Sequence, residues 1–437
     1  MTKRTYSEHM INIKNTLPVA ADLKWLFLDL NSYFASVEQQ DNPALIGRPV
    51  AVVPMMTDAT CAIAASYEAK AYGIKTGTKI YEAKAKCPDL VCVLARHDRY
   101  VYYHHKIVEE IARHTPINKV WSIDELSSRL PPNKRSVEAA IALAHRIKKG
   151  LRENIGPAIR ASIGLAPNGF LAKVATDMEK PDGLVILHQD HLPGRLFDLS
   201  LTDLPGINTN MERRLFRAGI RTVEQFWNVS PKHARKVWGS VSGERFWYNL
   251  RGADIPDQKT QRGMIGHSRV LDPDLRPPDM ARLVARRLTN KAAARLRREN
   301  YHATSFVLSV RSLSGEKWAK QISVSPAQVN FMFLKALDDL WAAMMLELKP
   351  ARLKKISVTY SGLCTTDEIT PDLFDTASED FQGLKKKNEK LSSLIDQVNQ
   401  RYGAEALQIG FSPKTQAGHV GTKIAFSRIP DVAEFQE

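Results

Sequence analysis

Two acidic clusters hold the residue types in this chain that could do chemistry. The first places Asp29 directly after the apolar run Trp25–Leu28, and the second, Ser122–Glu125, ends in the adjacent carboxylates of Asp124 and Glu125. Carboxylates gathered at strand ends can hold hard divalent cations such as Mg²⁺, which take further oxygens from water and from a substrate triphosphate. Together the clusters predict a two-metal nucleotidyl-transfer site, whereas either cluster alone is more typical of a solvated strand end.

Hydrophobic periodicity gives the elements that must position these acids. Apolar strand candidates alternate with helical segments on both sides of the second cluster. The predicted strands are Trp25–Leu28, Lys119–Ile123, Ala161–Leu165 and Gly183–Leu187, and the predicted helices are Arg99–His114, Ser136–Glu153 and Gly169–Met178. We therefore expect an α+β domain with the acids at the ends of its strands.

Three motifs carry a family resemblance. Asp29–Glu38 resembles the opening motif of the Y-family DNA polymerases, the translesion branch, and Ser122–Glu125 is similar to their Ser-(Ile/Leu)-Asp-Glu motif. Leu171–Lys173 with Asp177–Gly183 resembles their third signature. All three occur in the order and spacing of the family, which chance does not explain. Asn31, at the second acidic position of the opening motif, resembles the UmuC-like branch more than the DinB-like one.

The resemblance implies a template-directed, low-fidelity polymerase that joins a dNTP to a primer 3′-hydroxyl with two Mg²⁺ ions, for which Mn²⁺ can substitute. It implies that Asp29, Asp124 and Glu125 are the catalytic and metal-binding carboxylates, and that the main-chain carbonyl of Leu30 also meets a metal. Further positions match the family's nucleotide contacts. These are Tyr33, Phe34, Tyr67, Lys70 and Lys180, with Phe34 as the steric gate against a ribose 2′-hydroxyl.

Two departures from the family pattern lie near this centre. Lys70 stands where the family has Arg, so it keeps the charge but loses the bidentate fork. Residues 126–129 read Leu-Ser-Ser-Arg where the family usually has Ala-(Tyr/Phe)-Leu-Asp. The second departure supports an alternative: a catalytically weak accessory subunit of a lesion-bypass complex that binds DNA and the sliding clamp. A non-enzymatic DNA-binding protein is a further alternative, but it leaves three carboxylates beside phosphate unexplained.

The charge of the chain indicates a polyanionic partner. The net charge is +15 and the pI is about 9.5, and residues 262–362 carry eighteen Lys and Arg against eight Asp and Glu, an excess of ten. A basic helix within this stretch favours contact with phosphate. The predicted contacts to primer-template DNA are Gly206, Arg282, Arg286, Arg287, Arg295, Arg298 and Lys354.

The order of elements predicts an α+β multidomain protein, a right-hand polymerase with palm, fingers, a helix-hairpin-helix thumb and a β-α-β-β-α-β little finger. The predicted boundaries are a flexible leader at 1–24, palm at 25–40 and 100–185, fingers at 41–99, thumb at 186–253, linker at 254–262, little finger at 263–362 and tail at 363–437. In the thumb, Pro205–Ile207 precedes a predicted helix Met211–Ala218, and Asn208 replaces the usual second Gly. The little finger's predicted elements are Met264–Leu271, Pro278–Glu299, Ala303–Ser312, Lys317–Val324, Pro326–Leu348 and Leu353–Ser361.

The tail and the overall composition suggest partners and a location. Thr370–Phe374 resembles the clamp-binding peptide of bacterial polymerases without its leading Gln, so we expect Leu373 and Phe374 to bind a β sliding clamp. The sequence leaves open whether RecA-like or UmuD-like partners are required. No apolar stretch approaches the ~20 residues that cross a bilayer, and the start lacks a signal peptide, which predicts no membrane and a cytoplasmic location. The four cysteines form no CxxC pair, which fits a reduced compartment.

Overall fold

The structure is a computed structural model that describes residues 23–256, 261–369, 379–403, 406, 407, 409, 410 and 429, with side chains in the last helix from residue 387 onward. These residues form two compact units, one containing residues 23–256 and 429 and the other running from residue 261 to residue 410. Most of the predicted leader and the predicted clamp contacts Leu373 and Phe374 lie outside the described residues. Within the described part of the chain, no helix is long and apolar enough to cross a membrane.

The first unit alternates short strands and helices. Its strands are β1 (Trp25–Leu30), β2 (Val50–Val53), β3 (Ala64–Ala65), β4 (Val91–Leu94), β5 (Lys119–Val120), β6 (Glu125–Arg129), β7 (Ala161–Ala166) and β8 (Leu184–Ile186). Its helices are α1 (Tyr33–Asp41), α2 (Tyr67–Ala71), α3 (Ile80–Lys86), α4 (His97–Ala112), α5 (Val137–Gly150), α6 (Gly169–Met178), α7 (Thr209–Arg217), α8 (Val223–Asn228), α9 (Pro231–Trp238) and α10 (Val241–Leu250). Short 3₁₀ turns join several of them.

A five-stranded sheet in the order β5-β6-β1-β7-β8 positions the first acidic cluster. Its central strand, β1, pairs antiparallel with both β6 and β7. Because side chains alternate along a strand, Leu26 and Leu28 enter the core formed with α4 and α5, while Phe27 packs on the opposite face with residues of α6. Asp29 shares the face of Phe27 and thus points toward α6.

The predicted strand Lys119–Ile123 is wrong in its extent. β5 ends at Val120, and the chain then reverses because the backbone N–H groups of Trp121 and Ser122 both donate to the carbonyl of Glu125, at 2.9 and 3.3 Å. Asp124 therefore lies in a tight turn, and Glu125 begins the next strand, β6, instead of ending an apolar one. The apolar run alone could not reveal this hairpin, since the turn is set by backbone hydrogen bonds.

Two smaller structures complete the first unit. A three-stranded sheet, β3-β2-β4, carries α2 and α3 and corresponds to the predicted fingers segment. Four short helices, α7 to α10, follow residue 208. The helix predicted to start at Met211 begins at Thr209, because the side-chain oxygen of Asn208 accepts hydrogen bonds from the backbone N–H groups of Asn210 and Met211 and so caps the helix.

The second unit follows the predicted order strand, helix, strand, strand, helix, strand, which is confirmed. Its elements are β9 (Met264–Val270), α11 (Pro278–Arg298), β10 (Tyr301–Ser312), β11 (Lys317–Ala327), α12 (Asn330–Glu347), β12 (Leu353–Thr365) and a final helix α13 (Glu379–Tyr402). The strands form one antiparallel sheet in the order β11-β10-β12-β9. The helix predicted from Pro326 starts later, at Asn330, because β11 continues to Ala327.

One face of this second sheet is covered by α11 and α12. Phe306, Phe333 and Tyr360 pack with tilted rings in the resulting core, and the buried Tyr360 hydroxyl donates to the carbonyl of Thr289 on α11 at 2.8 Å. Helix α13 belongs to the same unit, and Asp396 on it accepts hydrogen bonds from Arg297 of α11 at 2.6 and 2.8 Å. The helical layer is thus built from three elements, and within the described part of the chain no helix covers the opposite face of the sheet.

Gly164 of β7 fixes how closely α6 approaches the five-stranded sheet. A Cβ atom at Gly164 would lie 2.0 Å from the carbonyl oxygen of Ala172. We expect Gly164→Ala to push α6 away from the sheet and to lower the free energy of unfolding by about 1–3 kcal/mol, the usual cost of overpacking. The measurement is the urea midpoint of the purified protein.

Gly169→Ala is the matched control for this experiment. Gly169 begins α6, and a Cβ there would meet Trp25 at an ordinary 3.7 Å. We expect its free energy of unfolding, from the same urea titration, to stay within about 0.5 kcal/mol of that of the parent. Equal stability of the two variants would show that α6 is not seated against β7 as described.

Candidate active site

Backbone pairing brings the three predicted carboxylates together. Asp29 of β1 and Glu125 of β6 are directly opposite each other in the sheet register. The backbone N–H of Leu30 donates to the carbonyl of Asp124 at 2.8 Å, which joins the turn before β6 to the end of β1. The hydroxyl of Ser122 donates to the carboxylate of Asp124 at 2.5 Å and orients it. Residues far apart in sequence therefore form one acidic cluster.

Two lysines from α6 and the loop after it enter this cluster. The Lys173 ammonium lies 2.6 Å from Asp29, 2.9 Å from Glu125 and 3.2 Å from Asp177. The Lys180 ammonium lies 2.9 Å from Asp29 and 2.7 Å from Asp177. Among the residues that the structure describes, no three carboxylate, imidazole or thiolate side chains are arranged as ligands of one metal ion. The acids are instead spaced around ammonium groups.

The electrostatics of the cluster favour a cation between the acids. Burial raises the pKa of Asp124, with the Ser122 hydrogen bond opposing it, and burial also raises the pKa of Glu125 against the opposing charge of Lys173. Burial by itself lowers the pKa of Lys173, but the surrounding carboxylates outweigh it and raise that pKa overall. The charged acids are therefore costly here unless positive charge accompanies them.

Two aromatic residues at the start of α1 have different surroundings. The half-buried ring of Phe34 stacks on Tyr100 of α4, with 4.2 Å between ring centroids and an interplanar angle of 11°. Tyr33 is buried, its hydroxyl donates to the carbonyl of Tyr100 at 2.6 Å, and burial raises its pKa. The ring and hydroxyl of Tyr33 therefore belong to the core, and a nucleotide contact at Tyr33 stays a prediction. The ring of Phe34 stacks on Tyr100 at the position predicted for the steric gate.

The fingers helix α2 contributes two further predicted residues. The ammonium of Lys70 lies 4.2 Å from the centre of the Tyr67 ring. Burial, followed by the positive charge of Lys180, lowers the pKa of Lys70. The two lysines are therefore close enough to repel each other, and they make a positive region next to the acids. Such a region suits an anionic group with several oxygens, as a triphosphate has.

Comparison with protein families identifies the chain. The model of the impB/mucB/samB family matches residues 28–177, and the model of its C-terminal domain matches residues 262–373. The model of the DNA polymerase-iota thumb domain matches residues 202–254. The chain belongs to the Y family of DNA polymerases. The acidic cluster lies within the first match, and the second sheet lies within the second.

Similar proteins and solved structures agree with this membership. DNA polymerase IV of Moorella thermoacetica is 31% identical over 402 residues, which cover 89% of this chain and 96% of that protein. DNA polymerase IV of Bacillus velezensis is 28% identical over 88% of this chain and 91% of that protein. A Y-family polymerase chimera of Dbh and Dpo4 matches with a TM-score of 0.66 at 22% identity, covering 78% of this chain and 99% of the chimera. The predicted right-hand polymerase fold is confirmed.

Asn31 has a structural role that the sequence did not reveal. Its side chain, 2% exposed, accepts a hydrogen bond from the backbone N–H of Asp182 at 2.7 Å and donates to the hydroxyl of Ser162 at 3.1 Å. The Ser162 hydroxyl in turn donates to the carbonyl of Glu179 at 3.2 Å. Asn31 thus ties the end of β1 to the loop that carries Lys180. An amide both donates and accepts, which an ionised carboxylate cannot do.

The segment that departs from the family, residues 126–129, has partners of its own. The indole N–H of Trp121 donates to the hydroxyl of Ser127 at 2.9 Å. Arg129 donates to one carboxylate oxygen of Asp254 at 3.0 Å, and the indole N–H of Trp25 donates to the other at 2.9 Å. The residues that stand in place of the family's aromatic and acidic residues therefore make a different set of contacts.

The predicted DNA-binding arginines lie on the helical layer of the second unit. Arg282 and Arg286 of α11 both pair with Asp338 of α12, at 2.9 and 3.0 Å, and Arg295 pairs with Glu299 at 2.8 Å. These acids give the helix a mixed charge, whereas the sequence suggested a basic face of one sign. Arg287 and Arg298 lie on the same helix, and Lys354 is exposed on β12. DNA binding by these residues stays a prediction.

The opposite face of the second sheet carries basic residues that sequence reasoning did not single out. Arg311 of β10 pairs in register with Lys317 of β11 on one side and with Lys355 of β12 on the other. All three side chains are exposed. They form a row across three strands, which we call the basic row. The alternation of buried and exposed residues along β10 was the sequence signal for this face.

The thumb loop lies beside the acidic cluster. Gly206 adopts a left-handed conformation with φ of +99°, which favours glycine, in the turn before α7. A cavity of about 320 Å³ opens between this loop and α6. Its walls include Lys173, Asp177, Gly206 and Asn208. The predicted phosphate contact at Gly206 is therefore close to the chemistry of α6.

The role of Asn31 can be tested by substitution. We expect Asn31→Ala to remove both buried hydrogen bonds and to lower the free energy of unfolding by about 1–3 kcal/mol. Because the Lys180 loop would loosen, the variant should also need a higher dNTP concentration for half-maximal extension. Stopped-flow nucleotide binding measures the second effect. Ser36→Ala is the control, because it removes the bond from the Ser36 hydroxyl to the Asn31 carbonyl without touching that loop. Similar nucleotide binding by both variants would argue against positioning by Asn31.

Proposed function

We propose that the protein is a template-directed DNA polymerase that performs low-fidelity translesion synthesis, joining a dNTP to a primer 3′-hydroxyl. The observation that carries this proposal is the single cluster of Asp29, Asp124 and Glu125 beside the ammonium groups of Lys70 and Lys180. The carboxylates suit cations and the ammonium groups suit a triphosphate. A nucleotidyl-transfer site requires both kinds of group within reach of one another.

The chemistry of the donor set fits two Mg²⁺ ions. Three carboxylates come from two strands and a turn, and the Lys173 ammonium already lies between two of them, Asp29 and Glu125. We propose that Asp29, Asp124 and Glu125 would hold the ions together with the main-chain carbonyl of Leu30, and that Mn²⁺ would substitute. Bound metals lower the pKa of a primer hydroxyl and neutralise a pyrophosphate leaving group.

The chain's own residues would bind and orient the nucleotide. Lys180, Lys70 and the Tyr67 hydroxyl are the groups proposed to donate to the triphosphate oxygens. Phe34 would lie under the sugar and exclude a ribose 2′-hydroxyl. Its ring is supported by Tyr100, whose hydroxyl donates to Glu38 at 2.8 Å, and Glu38 is held by Arg96 at 2.6 Å. An aromatic ring that is held by its packing excludes an added hydroxyl better than a mobile ring does, because it does not move aside.

The accessory-subunit alternative is not favoured. Its main support was the departure at residues 126–129, where Ser127 and Arg129 make hydrogen bonds of their own beside an intact acidic cluster. The curated relatives that match most of this chain are named DNA polymerase IV. The second alternative, a non-enzymatic DNA-binding protein, does not account for three converging carboxylates.

Primer-template DNA is the proposed macromolecular substrate. We propose that the basic row of Arg311, Lys317 and Lys355 contacts its phosphates, and that the Gly206 loop of the thumb offers backbone N–H groups to another phosphate. A β sliding clamp bound through Leu373 and Phe374, RecA-like or UmuD-like partners, and a cytoplasmic location stay predictions from the sequence.

Primer extension tests the proposed function. The parent should extend a primer on undamaged and abasic templates with Mg²⁺ or Mn²⁺, whereas Asp124→Ala/Glu125→Ala should lose extension by at least about a thousandfold because the metals lose two ligands. Phe34→Ala should gain ribonucleotide incorporation while retaining dNTP incorporation. Fluorescence anisotropy with labelled primer-template serves as the control for DNA binding. If the parent binds DNA but does not extend primers, the result would support the accessory-subunit alternative.

The salt dependence of DNA binding distinguishes the two faces of the second unit. Arg311→Gln/Lys317→Gln/Lys355→Gln should reduce the magnitude of the negative slope of log K against log[salt] by about 2–3, since each phosphate contact contributes about 0.9 to it. Arg282→Gln/Arg286→Gln/Arg287→Gln removes the same charge from α11 and is the matched control. We expect its slope to change by less than about 1. The reverse result would support the arginines predicted from sequence.

A further inference from the structure

The ammonium of Lys173 occupies the middle of the acidic cluster. Its three N–H donors correspond in number to its three carboxylate neighbours, Asp29, Glu125 and Asp177. The side chain is 18% exposed, so these contacts are made largely away from solvent. It links β1, β6 and α6, the three elements that build the site.

From this geometry we propose that Lys173 is a positioning residue: an internal cation that holds Asp29 and Glu125 in place until a divalent metal displaces it toward Asp177. The inference rests on the proposed function, because it concerns the metals of that site. Lys173 itself touches neither substrate nor the reacting atoms in this role.

The balance of charge gives the physical reason. Asp29, Asp124, Glu125 and Asp177 are neighbours, and among the described residues two ammonium groups form ion pairs with members of this group, those of Lys173 and Lys180. Carboxylates this close repel one another in a poorly solvated site unless cations lie between them. Lys180 contacts Asp29 and Asp177, and no contact with Glu125 is found for it among the described residues. Lys173 is therefore the cation that joins the carboxylates of β1 and β6.

A route for displacement is present. Asp177 lies one helical turn after Lys173 on α6, and both residues line the cavity of about 320 Å³ beside the thumb loop. A divalent ion and an ammonium cannot share the oxygens of Asp29 and Glu125 without strong repulsion. Rotation of the flexible lysine stem would take its ammonium into that cavity while it keeps the ion pair with Asp177. The acids would then be free for the metal.

Mn²⁺ binding to the full chain, without nucleotide or DNA, tests this inference. In an electron paramagnetic resonance titration, Lys173→Met should bind Mn²⁺ about tenfold more tightly than the parent, because the competing charge is gone while the apolar stem remains. Lys173→Arg should stay near the parent. Adding Asp124→Asn to Lys173→Met should abolish the increase in Mn²⁺ affinity. That result would show that the tightly bound Mn²⁺ lies in the acidic cluster.

Thermal unfolding gives a second readout that does not depend on activity. The metal-free Lys173→Met protein should melt below the parent, and saturating Mn²⁺ should raise its midpoint more than it raises that of the parent. Lys148→Met is the matched control, since Lys148 is a similarly buried lysine that pairs with Asp182 outside the acidic cluster. Its Mn²⁺ affinity should equal that of the parent.

The outcomes separate this inference from the proposed function. If the parent extends primers but Lys173→Met binds Mn²⁺ no more tightly than the parent, the proposed role of Lys173 is overturned and the proposed function stands. A parent that neither extends primers nor binds Mn²⁺ would overturn the proposed function and this inference with it.

Discussion

The register between β1 and β6 is the constraint on which the site depends. It sets Asp29 opposite Glu125, and the bond from the Leu30 N–H to the Asp124 carbonyl brings the third acid to the same edge. Backbone pairing at fixed spacing holds charged groups at distances that their mutual repulsion opposes. A slip of one residue would turn Asp29 into the core and Leu28 out of it, toward the site. The sheet thus supplies the energy that keeps the acids together.

Several residues that depart from the family pattern are explained by their local partners. Asn31 uses an amide to connect β1 with the loop of Lys180, a connection that needs both a donor and an acceptor. Arg129 replaces an acid and pairs with Asp254, which also accepts from the indole of Trp25. Each change makes a set of contacts of its own, so the departures alter the surroundings of the acids and leave the acids in place. This is why we interpret them as variation within a working site.

Positive charge serves different purposes in the two units. In the first, the ammonium groups of Lys173 and Lys180 neutralise buried carboxylates. In the second, Arg297 joins α11 to Asp396 of the last helix, and Arg282 pairs with Asp338, so part of the basic excess is structural. The remaining charge includes the basic row on the sheet face opposite the helices. A count of charges along the chain cannot separate these uses, because ion pairs form between elements distant in sequence.

Motifs and hydrophobic alternation are properties of the chain, so the family, the acidic residues and the order of elements in the second unit could be predicted from the sequence. Tertiary structure decided where the polar groups point. The hairpin before Glu125 follows from backbone hydrogen bonds, the burial of Tyr33 follows from the packing of α1 against α4, and the ion pairs of the arginines depend on which helix lies opposite. Such contacts join residues remote along the chain, so only the folded molecule shows them.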